Sequence, residues 1–205
     1  MKRLLLCFVV LFGVLTIQAQ TDISVHIKYY KEGNAKALMK EAEAGSADAM
    51  IYVSRLYDSG RGVTKNPSES FRWMKKAAEK GEWIAMHAVA ERYYYGKGVE
   101  KNLTEAFHWW KKLAEDGDPE AILELAECYY KGEGVPKNIT SAIYWWMICA
   151  TDYNDEEAMW RIAGCFWNGE GVDKSYNEAV LWWKKAARKG HELSQKALKT
   201  CNESW

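Results

Sequence analysis

The sequence predicts an all-α fold, a solenoid of stacked helix-turn-helix repeats, and three observations carry that reading. A Gly-x-Gly-Val phrase occurs four times, at Gly60/Gly62, Gly96/Gly98, Gly132/Gly134 and Gly169/Gly171, in steps of 36, 36 and 37 residues. A fixed period in this range marks a repeat architecture. Tryptophan stands eleven residues after the second glycine of every phrase, as Trp73, Trp109, Trp145 and Trp182. On both sides of the phrase the apolar residues recur at helical spacing.

The helix before each glycine phrase, helix A, is read from its core stripe. Ala85, Val89, Arg92 and Tyr93 lie at i, i+4, i+7 and i+8, one face of an α-helix. The equivalent sets are Ala49, Val53, Leu56, Tyr57; Ala121, Leu125, Cys128, Tyr129; and Ala158, Ile162, Cys165, Phe166. Arg92 is the one cation on this stripe, so its head either snorkels to solvent or pairs with a neighbouring acid. The first glycine of the phrase ends the helix in the left-handed conformation, the second lets the chain turn back, and the valine docks between the two helices.

Helix B is announced by a capping signal. Asn66 with Glu69, Asn102 with Glu105 and Ser175 with Glu178 have the spacing of a capping box, and Asn138 keeps the cap without the glutamate. The apolar face then runs through Ala106, Trp109, Trp110, Leu113 and Ala114, matched by Ser70, Trp73, Met74, Ala77, Ala78 and by the corresponding residues around Trp145/Trp146 and Trp182/Trp183. Large rings opposite small alanines suit interlocking layers, so the tandem tryptophans read as core and not as an aromatic ligand platform. Helix B closes at Gly45, Gly81, Gly117 and Gly190, with Asn154 in that role in the third repeat.

Residues 1–19 read as a cleaved secretory signal peptide: Lys2 and Arg3, an apolar stretch from Leu4 to Ile17, and Ala19 as a small residue at the cleavage site. The alternative, an uncleaved membrane anchor, is disfavoured because the stretch falls short of the roughly 20 residues a span needs. No second hydrophobic segment follows, so no membrane insertion of the mature chain is expected. The 28 basic residues, less the two in the leader, stand against 28 acidic ones, which leaves no electrostatic footprint for nucleic acid. The remainder, 20–205, is expected to be a single domain: an N-terminal half-repeat 24–45, repeats 46–81, 82–117, 118–154 and 155–190, and a C-terminal capping helix 191–202 with a polar outer face.

These motifs resemble the Sel-one-like repeat (SLR) family, a branch of the tetratricopeptide-like helical solenoids. The match runs Ala-x3-(Leu/Val/Ile)-(small)-x2-(Tyr/Phe)-x2-Gly-x-Gly-Val, then Ala-x2-Trp-(Trp)-x-Lys-(Ala)-Ala-x2-Gly, with Lys76, Lys112 and Lys185 at the lysine position. The resemblance implies an α/α superhelical solenoid with helix A on the concave side, and a role as a protein–protein interaction scaffold. The short leader points to a bacterial periplasmic or secreted protein.

If helix A lines the groove, the residues facing it lie off the core stripe: Ile51, Tyr52 and Arg55; His87, Ala88 and Glu91; Leu123, Glu124 and Glu127; Trp160, Arg161 and Gly164. Of these, Tyr52, Arg55, His87, Glu91, Glu124, Glu127, Trp160 and Arg161 are the candidate binding residues. Tyr52, Arg55, Trp160 and Arg161 are the expected anchors, since such residue types dominate interface hot spots. Glu91, Glu124 and Glu127 would form an acidic centre suited to a basic segment of a protein or peptide partner.

Hydrolytic motifs are absent: the chain has no Ser-x-x-Lys, Gly-x-Ser-x-Gly or His-Glu-x-x-His. His26, His87, His108 and His191 are scattered, so no catalytic residue, metal site or cofactor is expected. The alternative function, a cell-wall-associated protein with weak β-lactam or peptidoglycan hydrolase activity, rests on analogy with secreted relatives alone. Cys128, Cys165 and Cys201 share one helix A position and Cys149 sits on a helix B stripe. Neighbouring helix axes are about 8–10 Å apart and a disulfide needs Cα atoms within about 7 Å, so four buried thiols are expected. The sequons at Asn102, Asn138 and Asn202 are read as accidental, the first two asparagines being needed as caps.

Overall fold

The computed structural model describes residues 24–205; the leader reading over residues 1–19 lies outside the described residues. The chain divides into two compact units, the first ending at Glu100 and the second running Lys101–Trp205. The first holds α1 (24–32), α2 (Ala35–Glu43), α3 (Ala47–Ser59), α4 (Pro67–Glu79) and α5 (Trp83–Tyr95). The second holds α6 (Leu103–Glu115), α7 (Pro119–Lys131), α8 (Ile139–Asp152), α9 (Glu156–Asn168), α10 (Tyr176–Arg188) and α11 (Glu192–Thr200). Within each unit, helices from α2 onward pack on their neighbours in chain order. The described residues are thus all-α, built of helix-turn-helix repeats.

Helices α3, α5, α7 and α9 are the A helices, and each stops at a glycine in the left-handed region, with φ of 75°, 71°, 78° and 75° at Gly60, Gly96, Gly132 and Gly169. The second glycine of the phrase answers a tighter demand. A Cβ on Gly98 would stand 2.2 Å from the carbonyl oxygen of Pro67, and one on Gly134 would stand 2.1 Å from that of Leu103. The turn of one repeat therefore rests against the first residues of helix B in the repeat before it. The valines after these glycines are half-buried.

The B helices are capped as their sequences require. The N–H groups of Glu69, Glu105, Ser141 and Glu178 donate to the side chains of Asn66, Asn102, Asn138 and Ser175 at 3.0–3.3 Å. The Glu69 carboxylate holds Arg72 at 2.6 Å. Ser46, Asp118 and Asp155 cap the A helices in the same way, whereas Glu82 makes no side-chain cap for α5. Lys76, Lys112 and Lys185 lie over the rings of Trp73, Trp109 and Trp182 at 4.4, 5.9 and 3.8 Å, a cation–π contact one turn apart that accounts for the repeated lysine.

The core is the stripe of alanines, branched aliphatics and rings anticipated from the periodicity, including Trp73, Trp110, Trp146, Trp182 and Trp183. Trp109 and Trp145 are only half-buried, so the first ring of a tandem pair marks the edge of the core in the second and third repeats. Two polar pairs are built into it. Ser54 and Ser70 bond at 2.8 Å between α3 and α4, where the other repeats place Ala90/Ala106, Ala126/Ala142 and Ala163/Ala179. Arg92, 6% exposed, reaches from α5 to the carboxylate of Asp58 in the last turn of α3.

Removing one partner of a buried ion pair strands the other charge, and the cost is smaller where the stranded group keeps access to water, as the Asp58 carboxylate does and the Arg92 guanidinium does not. Asp58→Ala should therefore cost the first unit about 3 kcal/mol, the low end for such pairs because Asp58 retains some solvent. Arg92→Leu, which restores the residue type of Leu56, should cost less, as read by urea unfolding.

Candidate functional site

In the first unit, Tyr52 and Arg55 project from α3 as one group, with the guanidinium carbon 5.3 Å from the Tyr52 ring centroid. Tyr52 also meets Tyr30 and His26 of α1 at 5.8 and 6.2 Å, and His26 is buried. These two α1 partners were missed in the sequence because the half-repeat carries no glycine phrase to set its register. Ile51 is buried and not on the exposed face; its branched side chain is drawn into the core at the position where the sister helices carry His87, Leu123 and Trp160. His87 is half-buried and Glu91 exposed on α5. A hollow of about 730 Å³ lies along α2 near Met39 and Val63 and involves none of the candidate residues.

In the second unit, the candidates on α7 and α9 are joined directly. Arg161 Nη1 lies 3.2 Å from Glu127 and its Nε 2.8 Å from Glu157. Glu127 also holds Lys131 at 3.1 Å, and Glu157 reaches His191 Nε2 at 3.3 Å. Glu127 is thus half-buried and neutralised by two cations, which corrects its reading as part of an open acidic centre. Glu124 is exposed on the same helix, and Glu91 belongs to the other unit.

Trp160 is half-buried against Trp183 and His191, with centroids 5.9 and 5.5 Å away. It helps line a cavity of about 150 Å³ together with Tyr130, Trp146, Arg161, Gly164 and Asn168. Trp146, 1% exposed, stands 5.4 Å from Tyr130 and forms the floor, so a core tryptophan is also a cavity wall. The Tyr130 hydroxyl donates to Glu170 at 2.9 Å, a bond that pushes its pKa up, and Asn168 donates to the same carboxylate.

Gly164 explains why the cavity is there. It occupies the position of Arg55, Glu91 and Glu127 in the sister helices, in a helix interior where glycine costs about 1 kcal/mol relative to alanine. A Cβ there would meet nothing within 4 Å. No packing contact demands the glycine, and its lack of a side chain leaves room in the cavity that it lines with Trp146 and Tyr130.

A second feature escaped the sequence reading. α8 carries Tyr144, Met147 and Ile148 where its sisters carry Arg72, Lys75, Lys76 or His108, Lys111, Lys112. Tyr144 is 60% exposed, Met147 is also exposed and Ile148 half-buried, so the outer face of one B helix is apolar and uncharged. The signal was present as three successive departures from the lysine-rich pattern.

Cys128, Cys149 and Cys165 are buried and free, and burial pushes their thiols up to about 12, about 12 and about 11. Cys201 departs from the expectation of four buried thiols. It is the C-cap residue of α11, half outside the helix, and only half-buried. Ellman's reagent at neutral pH should therefore titrate Cys201 first in protein beginning at Gln20. The other three should react only as fast as the protein unfolds; early modification of more than one thiol would contradict these burials. Among the described residues no group of three or more His, Cys, Asp or Glu could hold a metal ion, and no helix is long and apolar enough to cross a membrane.

A family model described as the Sel1 repeat matches residues 47–82, 83–118, 119–146 and 156–191. The third match stops at Trp146, where α8 leaves the lysine-alanine pattern. Among solved structures, a Sel1 repeat protein from Oxalobacter formigenes is 31% identical, with a TM-score of 0.72 over 86% of this chain and 74% of that one. A protective antigen of uropathogenic Escherichia coli displaying an SLR fold is 29% identical, with a TM-score of 0.66 over 78% of this chain. The chain spans about a third of that antigen's length, 34%. A comparison with curated proteins finds no match.

Proposed function

Because the chain belongs to the Sel1 repeat family, whose members are typically non-catalytic scaffolds for protein–protein contact, we propose that it is a periplasmic or secreted interaction module that binds a peptide or protein segment along its helix A faces. The observation that carries this reading is the contrast between positions. Alanine holds the same buried site in all four A helices, while the outward positions change from Tyr52 and Arg55 to His87 and Glu91, Glu124 and Glu127, Trp160 and Arg161. A fixed scaffold with variable outward chemistry is what selective recognition needs. A hydrolase reading gains no support, since Cys128, Cys149 and Cys165 are buried and protonated far above neutral pH.

Secretion is supported by the leader-like residues 1–19 and has a direct test: the N-terminus of the exported protein should be Gln20. For the surface, immobilised wild type and a Tyr52→Ala, Arg55→Ala, Trp160→Ala, Arg161→Ala variant are exposed to periplasmic extract. The variant should lose the partner retained by wild type. Equal recovery of every partner by a folded variant would sink the helix A surface.

The apolar face of α8 favours a second contact surface, because charged sister positions show that the fold itself does not require it. Tyr144→Arg with Met147→Lys restores the α4 pattern at the two exposed positions. That pair should leave unfolding free energy within about 0.5 kcal/mol, as surface changes do, and should lower self-association or partner capture measured by sedimentation.

A further inference from the structure

Of the features on the second unit, the cavity above Gly164 has the most specific chemistry, and three aromatic rings form much of its lining: Tyr130, Trp146 and Trp160. Aromatic faces attract cations within about 6 Å of the ring centroid, most strongly where water is excluded. Tyr130 already shows this behaviour on its own account, since Lys137, which does not line the cavity, lies 5.4 Å from its ring centroid. Trp160 is held against Trp183 and His191, so little ordering would be required of it on binding.

The charges around the cavity favour a positive guest. Arg161 lies in the wall, but Glu127 and Glu157 both hold it, at 3.2 and 2.8 Å, which ties up its donors and offsets part of its charge. Glu170 accepts from two residues of the lining, Tyr130 and Asn168, and so adds a carboxylate beside the cavity. Cys165, also in the lining, senses both signs: after burial, Glu170 raises its pKa most, Arg161 lowers it by less, and Glu127 raises it by less again.

We propose that this cavity takes the side-chain ammonium of a lysine in a bound peptide, with the rings of Tyr130, Trp146 and Trp160 around its stem and head and Glu170 as the counter-charge. The assignment rests on the reading of helix A as the peptide-binding face and names the residue it selects. Gly164 is then the position that admits the guest, and a side chain there competes with it.

The probe is Nα-acetyl-lysine methylamide, with the norleucine analogue, which keeps the alkyl stem and lacks the ammonium, as its neutral counterpart. Binding is followed by NMR at low salt through the indole N–H signals of Trp160 and Trp146. The lysine probe should shift these signals saturably and bind at least about ten-fold more tightly than norleucine. Gly164→Leu should abolish the shift while melting no lower than wild type, because Gly164 has ordinary helical backbone and open space beside it. Glu170→Gln should weaken lysine and leave norleucine unchanged. Equal binding of the two probes, a shift that survives Gly164→Leu, or no saturable shift with lysine would each overturn the assignment. If lysine fails here while the four-residue variant still loses its partner, the cavity assignment falls and the helix A surface stands.

Discussion

The spacing of this protein depends on a contact between backbones. Where Gly98 meets the carbonyl of Pro67, and Gly134 that of Leu103, the turn of one repeat and the start of the previous helix B approach more closely than any side chain allows. The second glycine is needed twice over, for a left-handed φ and for the missing Cβ. Once that approach is fixed, the distance between successive helix pairs is set. The alanines can then sit at full burial under the larger rings, and the off-stripe positions of helix A are free to differ from repeat to repeat. The variable chemistry of Tyr52, His87, Glu124 and Trp160 is possible because the glycines, and not these residues, hold the repeats in register.

Much of the architecture was legible in the sequence because each repeat supplies an internal comparison. Four copies of one phrase separate what packing requires from what a single site adds, and the caps at Asn66, Asn102, Asn138 and Ser175 all form as their spacing indicates. The site was harder to read, since its parts come from different repeats. Arg92 looked anomalous by itself; its partner Asp58 stands where the next repeats carry Tyr94, Tyr130 and Trp167, so the two departures from the pattern are one feature. Ser54 and Ser70 likewise replace two alanines together. Departures that come in pairs, at positions the fold brings into contact, are the residues of interest in such a chain.

The same principle explains what was misjudged. Trp146 was assigned to the core from its stripe, and it is buried, yet burial by its own repeat does not prevent its face from flooring a cavity opened by the next helix. Gly164 was visible as an odd residue on the outer face of α9, but its meaning depends on Tyr130 and Trp146, 34 and 18 positions earlier. Periodicity within one helix carries no information about such a junction. Cys201 was overestimated for a related reason: it keeps the register of Cys128 and Cys165 but falls on the cap of a shorter helix.

The third repeat shows where the chain can change length. Its extra residue lengthens α8 to 14 residues where α4, α6 and α10 have 13; in the loop that follows, no longer than its sisters, Asn154, with φ of 54°, takes the left-handed step that glycine makes elsewhere. The Tyr153 hydroxyl bonds back to the carbonyl of Gly117, the matching loop one repeat earlier. On this edge of the second unit the loops touch through a side chain that can adjust, whereas on the glycine edge they touch through main chain that cannot. Insertions, affinity tags or new chain termini would be accommodated at this edge, in the last turn of helix B or in the loop after it, such as residues 153–155. The A-to-B turns would reject even a single added residue, and that asymmetry gives the repeat one edge open to evolutionary growth and one closed to it.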